Sequence, residues 1–286
     1  MPLKTQTEQE RVIASCEQNR EYDFSRCKLC AAYAASPKYK LKKTIIYACA
    51  RCDFHFINHL DSLPHGSQGK VTKTLDRKAC EYIEGMLPSS GKQLRENMLL
   101  VKRSISLSGA QCLDIGAGAG LFAQLLAETG ACVHGIEPQG LFREFAQQKF
   151  GIALNEETID ARYWQQGFAG FFDVVTLWDV LEHVNFPAET LQNAYNVVKP
   201  GGWLFLDTPR RDTLFYRISE WSYRFGGGAN SRLLESLYSP LPFRHKQIFT
   251  LRQLLKLVEK IGFSVTSMHS SFFRPHNKMV LVCRKP

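Results

Sequence analysis

The sequence predicts an α/β fold that follows a small cysteine-rich module. Residues 111–209 alternate short apolar runs with helical patterns, as in consecutive strand–helix–strand units. In the first unit, an apolar run over residues 110–115 leads into three glycines, Gly116, Gly118 and Gly120, and a helical pattern begins at Leu121. Two Cys-x-x-Cys pairs precede this region. A chain of 286 residues is long enough for one large domain and one small accessory module.

Composition and charge narrow the class of protein. The hydrophobic content of 44% is ordinary for a globular protein, and no run of about 18 apolar residues predicts a membrane span. The first twenty residues lack the apolar segment of a secretory signal, so we expect a cytoplasmic protein. The net charge of +9 divides into +7 over residues 1–110, −8 over residues 111–209 and +10 over residues 210–286, counting Lys and Arg against Asp and Glu. The acidic middle suits a cationic ligand, and the basic flanks suit an anionic partner or a solvated surface.

The paired cysteines predict a metal site. Cys27 and Cys30 are separated by eighteen residues from Cys49 and Cys52, which is the spacing of a tetrahedral zinc ribbon. We therefore predict a polar leader over residues 1–20 and a ribbon with structural Zn²⁺ over residues 21–60. A redox-active pair is the main alternative, and the presence of two pairs at ribbon spacing favours zinc. His55 and His59 follow closely, but four thiolates already complete a zinc site.

The next segment, residues 61–105, is predicted to be a linker followed by helices. Residues 61–69 are rich in turn-forming residues. Residues 73–105 carry helical periodicity, with a second helix expected through Leu94, Met98, Leu99 and Val101. We expect these helices to pack beside the sheet and to help cover its ligand site.

The core is predicted over residues 106–209, and its last elements over residues 246–286. The predicted strands cover residues 131–136, 152–154, 172–177 and 203–207, followed by an antiparallel pair at 264–268 and 279–284. The predicted helices cover residues 142–150 and 188–198, and a third begins after Thr250 and ends before Gly262.

The glycine turn predicts a ligand site. Glycines remove the Cβ atoms that would keep a ligand away from the backbone, and exposed amides at the helix start would favour a negatively charged or polar group. A tight turn without a ligand is the alternative. Leu121 stands where the nicotinamide-binding pattern requires its third glycine, which disfavours a dinucleotide. Glu137 ends the next strand, where a carboxylate can accept both hydroxyls of a ribose.

These motifs carry a family resemblance. The Asp-x-Gly-x-Gly-x-Gly spacing from Asp114 to Gly120, with the acid at Glu137, resembles the class I S-adenosylmethionine-dependent methyltransferases. Residues 172–184, 198–209 and 245–250 are similar to further motifs of that superfamily, in the same order. The closest branch resembles the ubiquinone-biosynthesis O-methyltransferases and related enzymes that act on small molecules. The resemblance implies a Rossmann-like sheet of seven strands with the last antiparallel, helices on both faces, and the cofactor over the carboxyl ends of the first two strands.

The resemblance also implies the residues that hold the cofactor. Glu137 would hold the ribose, and Pro138 and Gln139 would border the adenine. The residues implied for the rest of the cofactor are Asp114, Gly116, Ala117, Gly118 and Gly120 on the methionine part, Thr158 and Ile159 in the adenine-side loop, and Leu177, Trp178 and Asp179 on the methionyl side. Trp178 is compatible either with a cation–π contact to the sulfonium or with ordinary packing.

Two histidines are the candidate general bases, since imidazole titrates near neutrality. His183 follows the fourth strand, and His245 follows a basic and aromatic insert. Asp179, Glu182 and His183 form an acid-x-x-acid-His cluster that resembles a divalent-metal motif of the ubiquinone-type enzymes. The alternative is that Glu182 and His183 cap the next helix and fix the loop. Residues 210–245 are predicted to form a lid-like insert, whose apolar stripe would meet a hydrophobic acceptor, a membrane surface or the body of the protein.

We therefore expect an S-adenosylmethionine-dependent methyltransferase that methylates oxygen or carbon on a small-molecule acceptor, either anionic or hydrophobic. One alternative is an RNA methyltransferase that uses the basic ribbon and tail. Against it, Asp179-Val180-Leu181-Glu182 stands where an amino-methylation motif would follow the fourth strand. A second alternative is a non-catalytic scaffold that binds a partner.

Overall fold

A computed structural model describes residues 22–61, 75–240, 245–271 and 278–286. The predicted leader and residues 62–69 of the predicted linker lie outside these ranges. The strands are β1 (Ala35–Lys40), β2 (Ile45–Cys49), β3 (His55–Ile57), β4 (Gln111–Ile115), β5 (Cys132–Ile136), β6 (Phe172–Trp178), β7 (Val198–Pro209), β8 (Gln247–Ile248), β9 (Ser264–Ser271) and β10 (Lys278–Arg284). The helices are α1 (Arg77–Ser104), α2 (Leu121–Ala127), α3 (Gly140–Phe150), α4 (Arg162–Gly167), α5 (Pro187–Val197), α6 (Leu214–Phe225), α7 (Arg232–Leu237) and α8 (Leu251–Ile261). None of the helices described is both long and apolar enough to cross a bilayer.

The larger sheet has the strand order β5-β4-β6-β7-β10-β9. Strands β5, β4, β6 and β7 are parallel, and β10 is antiparallel to both β7 and β9. The predicted α/β class and antiparallel end are confirmed. The carboxyl ends of β4, β5 and β6 meet at one edge, which is where open parallel sheets bind ligands.

The sheet has six strands in the described residues, so the predicted count of seven is wrong. The strand expected over residues 152–154 is reduced to a single parallel bridge between Ile136 and Asn155. The Leu154 side chain lies against Gly135, where an added Cβ would come within 2.3 Å of Leu154 Cδ2. Asn155 still exchanges backbone hydrogen bonds with Gly135 and Glu137. The backbone of this segment therefore pairs with the edge strand β5 at Asn155 only.

A single helix of 28 residues, α1, replaces the two helices expected over residues 73–105. Pro88 lies inside it and removes one amide donor. The Ser90 hydroxyl donates to the carbonyl oxygens of Met86 and Leu87 at 3.1 and 3.4 Å, which supplies local hydrogen bonds beside the proline. The helix is capped at its start by Asp76, whose carboxylate accepts from the Ala79 amide at 2.8 Å.

The cysteine module and the core share a sheet. Strands β1, β2 and β3 form an antiparallel ribbon, and β8 of the core pairs with β3 to give a four-stranded sheet. The Gln253 side-chain amide donates to the Cys52 carbonyl oxygen at 2.7 Å. The ribbon is thus joined to the core by backbone pairing as well as by side chains.

The insert packs on the ribbon. Tyr216 of α6 and Leu234 of α7 are buried with Tyr39, Ile46 and Ile57 of the ribbon in one apolar cluster. The Tyr39 hydroxyl donates to Glu220 Oε1 at 2.8 Å. None of the insert residues that the structure describes lines the ligand cavity presented below. The lid-like role of the insert stays a prediction.

Candidate active site

A cavity of about 610 Å³ opens at the carboxyl ends of β4, β5 and β6. It is large enough for a nucleoside-sized ligand, since such pockets typically measure about 300–1,000 Å³. Ten of the predicted site residues line it: Gly116, Gly118, Glu137, Pro138, Gln139, Thr158, Ile159, Trp178, Asp179 and His183. Asp114, Ala117, Gly120, Leu177 and His245 are not among its lining residues. Their assigned roles toward a ligand stay predictions.

The glycine turn forms a wall of the cavity without side chains. Gly116, Gly118 and Gly120 all have left-handed backbone conformations, with φ of 72°, 53° and 80°. An added Cβ at Gly118 would meet no atom within 4 Å, whereas one at Gly120 would lie 2.6 Å from Ala146 Cβ. Gly118 therefore borders open space, and Gly120 allows α3 to pack closely behind the turn.

Four amides of this turn bond within the protein, and the expectation that amides at the start of α2 favour a polar or anionic group stays a prediction. The Gly116 and Ala117 amides both donate to the Ile136 carbonyl oxygen, at 2.8 and 2.9 Å. The Gly118 amide donates to Glu137 Oε2 at 2.9 Å, and the Gly120 amide donates to the Ala117 carbonyl oxygen. The turn thus contributes shape to the cavity, and Glu137 contributes its charge.

Glu137 connects the turn to the next loop. Its side chain is only 4% exposed, and its second oxygen, Oε1, accepts from the Gln139 amide at 2.9 Å. A carboxylate has about four acceptor positions, so it can hold the backbone and accept from ligand hydroxyls together. Arg143 Nη1 donates to the carbonyl oxygens of Glu137 and Pro138, which fixes the loop from outside.

Asp179 begins the loop after β6 in a left-handed conformation, with φ of 54°. Its amide donates to Asp207 Oδ1 at 2.7 Å, and its carboxylate pairs with Lys278. Burial raises the pKa of Asp207 to about 6, with a further increase from the charge of Asp179 and an opposing effect of Lys278. The strained position is therefore held by an acid–lysine network that also contacts Asn97 of α1.

The two candidate bases lie together. The rings of His183 and His245 are 5.3 Å apart, and His183, His245 and Glu182 each offer a ligand atom within 4.8 Å of the others. The Glu182 side chain is fully buried, accepts from the Thr208 hydroxyl at 2.9 Å, and has a pKa raised well above its ordinary value by burial and by the charge of Asp179. Asp179 is not part of this group, since its carboxylate pairs with Lys278, and the divalent metal at Asp179, Glu182 and His183 stays a prediction.

The N-cap residue of α5 is Phe186, whose side chain makes no capping hydrogen bond. The Glu182 carboxylate accepts from the Thr208 hydroxyl, a contact of the kind expected if Glu182 fixes the loop. The Glu182 carbonyl oxygen accepts from the Lys246 amide at 2.7 Å, which brings the segment that carries His245 beside the loop after β6.

A family model described as a methyltransferase domain matches residues 74–268. The chain belongs to this methyltransferase domain family. Ubiquinone biosynthesis O-methyltransferase from Pseudomonas aeruginosa (strain LESB58) is 38% identical over 114 residues, which covers 38% of this chain and 49% of that protein. The chain therefore spans about half the length of the curated relatives it matches first.

Solved structures share the fold of the methyltransferase domain. A SAM-dependent methyltransferase from Methanosarcina mazei has a TM-score of 0.52 at 16% identity and covers 65% of this chain and 96% of its own. Magnesium protoporphyrin IX methyltransferase from Synechocystis PCC 6803, with bound SAH, has a TM-score of 0.51 at 18% identity and covers 76% of this chain and 90% of its own.

The sequence did not reveal the residues that line the far side of the cavity. Most of them follow His183, in the loop and in helix α5: Val184, Asn185, Phe186, Glu189, Thr190 and Asn193. Two come from elsewhere in the chain, Phe142 and Asp61. Asp61, which follows the ribbon, exchanges two hydrogen bonds with Asn185, each of 2.8 Å. Its position depends on the docking of the ribbon, which no local pattern predicts.

The four cysteines cluster as predicted. The Sγ atoms of Cys27 and Cys52 are 3.6 Å apart, and those of Cys30 and Cys49 are 3.7 Å apart. All four Sγ atoms lie within 4.8 Å of one another. These separations are too long for disulfides. They fit a tetrahedron with Zn–S bonds of about 2.3 Å, whose edges measure about 3.8 Å.

Asp114 gives the methyltransferase domain a pH-dependent stability. It is 2% exposed, accepts from the Thr176 hydroxyl at 2.6 Å, and burial raises its pKa to about 7 from an ordinary value of 3.8. The folded state holds the carboxyl proton of Asp114 more tightly than the unfolded state does. Protonated Asp114 therefore contributes fully to the free energy of unfolding below about pH 4, and this contribution is lost as the pH rises through about 7. Asp114→Asn keeps an acceptor for Thr176 and removes the titration.

We expect the ligand-free Asp114→Asn variant to gain stability relative to wild type as the pH rises from about 5 to about 8, by about 1 kcal/mol or more. Urea unfolding at both pH values measures the gain. Glu128→Gln, at an exposed position at the end of α2, should show none. An equal difference between Asp114→Asn and wild type at both pH values would contradict the assignment.

Proposed function

We propose that the chain binds S-adenosylmethionine in the cavity and methylates a small-molecule acceptor on oxygen or carbon. One observation carries the proposal: a single cavity is lined by the glycine turn, by Glu137 and by His183. The residues fit the cofactor, because Gly118 leaves open space beside an acid at the adjacent strand end. When bound, S-adenosylmethionine would supply an electrophilic methyl group on a sulfonium.

The residues of the chain divide into two groups in this proposal. Gly116, Gly118 and Glu137 hold and orient the cofactor, with Pro138, Thr158 and Ile159 beside it. Trp178 lines the cavity while packing edge-on against Phe122 at 5.3 Å, so its ring presents a fixed apolar wall. Alignment of reacting groups supplies most of the rate in such displacements, about 7–11 kcal/mol in favourable cases.

His183 would accept the acceptor's proton at a ring nitrogen. It lines the cavity, and the buried Glu182 and the neighbouring His245 fix its surroundings. The relative from Pseudomonas aeruginosa is named an O-methyltransferase, which favours a hydroxyl oxygen as the acceptor atom. The donor set of Glu182, His183 and His245, two imidazoles and one carboxylate, would suit a divalent metal, and it differs from the predicted set by His245 in place of Asp179.

We also propose that Cys27, Cys30, Cys49 and Cys52 hold a structural Zn²⁺. Four thiolates leave no open position for a substrate or water, so this metal would stabilise the ribbon and take no part in methyl transfer.

We expect His183→Ala to lower kcat for an oxygen acceptor by roughly 10²–10⁴-fold, because a general base contributes about that much. The affinity for S-adenosylmethionine, measured by calorimetry, should change by less than about threefold, since the glycine turn and Glu137 are untouched. His269→Ala, at an exposed position on β9, is the control and should change neither value. Full activity of His183→Ala would remove this residue from the mechanism.

The acceptor itself is found with methyl-labelled S-adenosylmethionine and cell extract separated into metabolite, lipid, RNA and protein fractions. Label in the metabolite or lipid fraction supports the proposal. Label in RNA favours the nucleic-acid alternative, and binding should then fall steeply with salt. Failure to bind the cofactor in calorimetry favours the non-catalytic scaffold.

A further inference from the structure

Helix α6 has two different apolar faces. Phe215, Tyr216 and Tyr223 contact the ribbon cluster. On the opposite side, four large side chains are exposed: Leu214 (68%), Ile218 (43%), Trp221 (54%) and Phe225 (89%). At about 100° per residue these four positions fall within an arc of roughly 60°, so they form one continuous stripe. Folding of the described chain leaves this stripe uncovered, although large apolar patches are rare on the surfaces of monomeric proteins.

The surroundings of this stripe are basic. Arg217 is exposed on its flank, and Arg232 is exposed at the start of α7. Arg224 is also exposed, and its Nη2 donates to the Tyr39 hydroxyl at 3.3 Å. The turn between β1 and β2 adds exposed Lys40, Lys42 and Lys43. It is fixed beside the helices, because the Lys40 amide donates to the Tyr223 hydroxyl at 2.9 Å and the Lys42 amide donates to Glu235 Oε1 at 3.1 Å.

The acidic residues of both helices are directed elsewhere. Glu220 accepts from the Tyr39 hydroxyl and pairs with Lys38 at 3.6 Å, so it faces the ribbon. Glu235 accepts from the Lys42 amide and from the Ser231 hydroxyl at 2.8 Å. Arginine and lysine are thus the charges left beside the apolar stripe.

We propose that the exposed face of α6, with the lysines of the β1–β2 turn, docks on the surface of an anionic lipid bilayer. An amphipathic helix with Leu, Trp and Phe on one face and basic residues beside it binds at the headgroup boundary, where apolar burial and charge attraction add. Leu214 and Ile218 would gain little from nucleic acid, which is bound through phosphate contacts and base stacking. The proposal does not depend on the methyl-transfer function.

The test is flotation of the full chain with vesicles of phosphatidylcholine alone or mixed with phosphatidylglycerol. We expect binding to the mixed vesicles, much weaker binding to neutral ones, and partial loss at high salt. The double variant Trp221→Ser, Phe225→Ser should lower the partition coefficient by about tenfold or more. The matched control Leu99→Ser, Tyr163→Ser, at two exposed apolar positions on α1 and α4, should bind like wild type.

Two further variants test the exposed face of α6 independently of the double variant. Phe225→Ser alone changes a side chain with almost no contacts, so it tests the face if the double variant folds poorly. Trp221→Phe should keep the binding and remove the blue shift of tryptophan emission on vesicles. Equal binding of the variants and wild type, or no binding to anionic vesicles, overturns the proposal. It is also overturned if the stripe variants only dissociate a dimer in sedimentation, or only abolish binding to single-stranded RNA.

Discussion

Glu137→Ala should weaken the binding of S-adenosylmethionine by about a hundredfold or more. Two charge-assisted hydrogen bonds to ribose hydroxyls, at about 1.5–3 kcal/mol each, account for a loss of that size. The structure adds a second reason, because the same carboxylate accepts from the Gly118 and Gln139 amides. Removing it would loosen the glycine turn and the adenine-side loop together, so a variant with an uncharged acceptor is needed to separate the two effects.

Glu137→Gln is that variant. It retains one carbonyl acceptor and loses the charge and the second acceptor, so its affinity should lie between wild type and Glu137→Ala. Calorimetry measures the dissociation constants, and the thermal midpoint without ligand reports the loosening of the turn. Glu128→Ala, at an exposed acid on α2, should bind like wild type. If Glu137→Ala bound S-adenosylmethionine with wild-type affinity, the assignment of Glu137 to the ribose hydroxyls would be wrong.

The position of Glu137 was predictable because a short-range pattern fixes it. The pattern consists of local features: a buried strand, a glycine turn and an acid at the end of the next strand. The two strands pair in parallel, with Asp114 beside Gly135, so their carboxyl ends meet. The helices α3, α5 and α8 end where glycines or a proline-containing segment predict. In α8 the Thr250 and Gln253 side chains form a complete capping box, and Gly262 ends the helix with φ of 117°.

Features that depend on packing were not predictable. The edge segment at residues 152–154 has strand-like residues, but Leu154 inserts against Gly135, so the segment makes only one bridge. Two helices were predicted over residues 73–105, yet α1 continues through Pro88, where Ser90 bonds to the neighbouring carbonyl oxygens. Packing contacts in the folded chain override such local preferences, because the preference of a single residue for helix or strand is small in free energy. A local sequence pattern does not show these contacts.

The site shows the same division. His183 lies in the loop after its strand, whereas His245 reaches it through the hydrogen bond from the Lys246 amide to the Glu182 carbonyl oxygen, a contact between residues far apart in sequence. The contacts of Asp179 with Asp207 of β7 and Lys278 of β10 are of the same kind. The metal-ligand spacing of the acid-x-x-acid-His motif did not contain that information.

The ribbon is attached to the site loop, so loss of the proposed Zn²⁺ should destabilise more than the ribbon. The Ile57 amide donates to the Lys246 carbonyl oxygen at 2.8 Å, and the Lys246 amide donates in turn to the Glu182 carbonyl oxygen. Asp61 and Asn185 join the end of the ribbon to the cavity wall. Arg211 Nη2 donates to Asp53 at 2.6 Å across the same interface. A small ribbon has too little core to keep this geometry without a metal.

We therefore expect Cys49→Ser to lose its zinc and to lower the thermal midpoint of the whole chain by about 10 °C or more, because a zinc site contributes several kcal/mol and each kcal/mol shifts the midpoint by about 2–4 °C at this size. Metal analysis should find one zinc per wild-type chain, and calorimetry should show one transition that moves as a unit. Cys132→Ser, at an exposed thiol outside the cluster, should keep both zinc and midpoint. If the ribbon were an independent module, Cys49→Ser would leave the main transition unmoved and methyl transfer intact. That result would mean that the bonds from Asp61 and Lys246 to the site loop do not couple the two units, and the ribbon would then have no part in shaping the acceptor side.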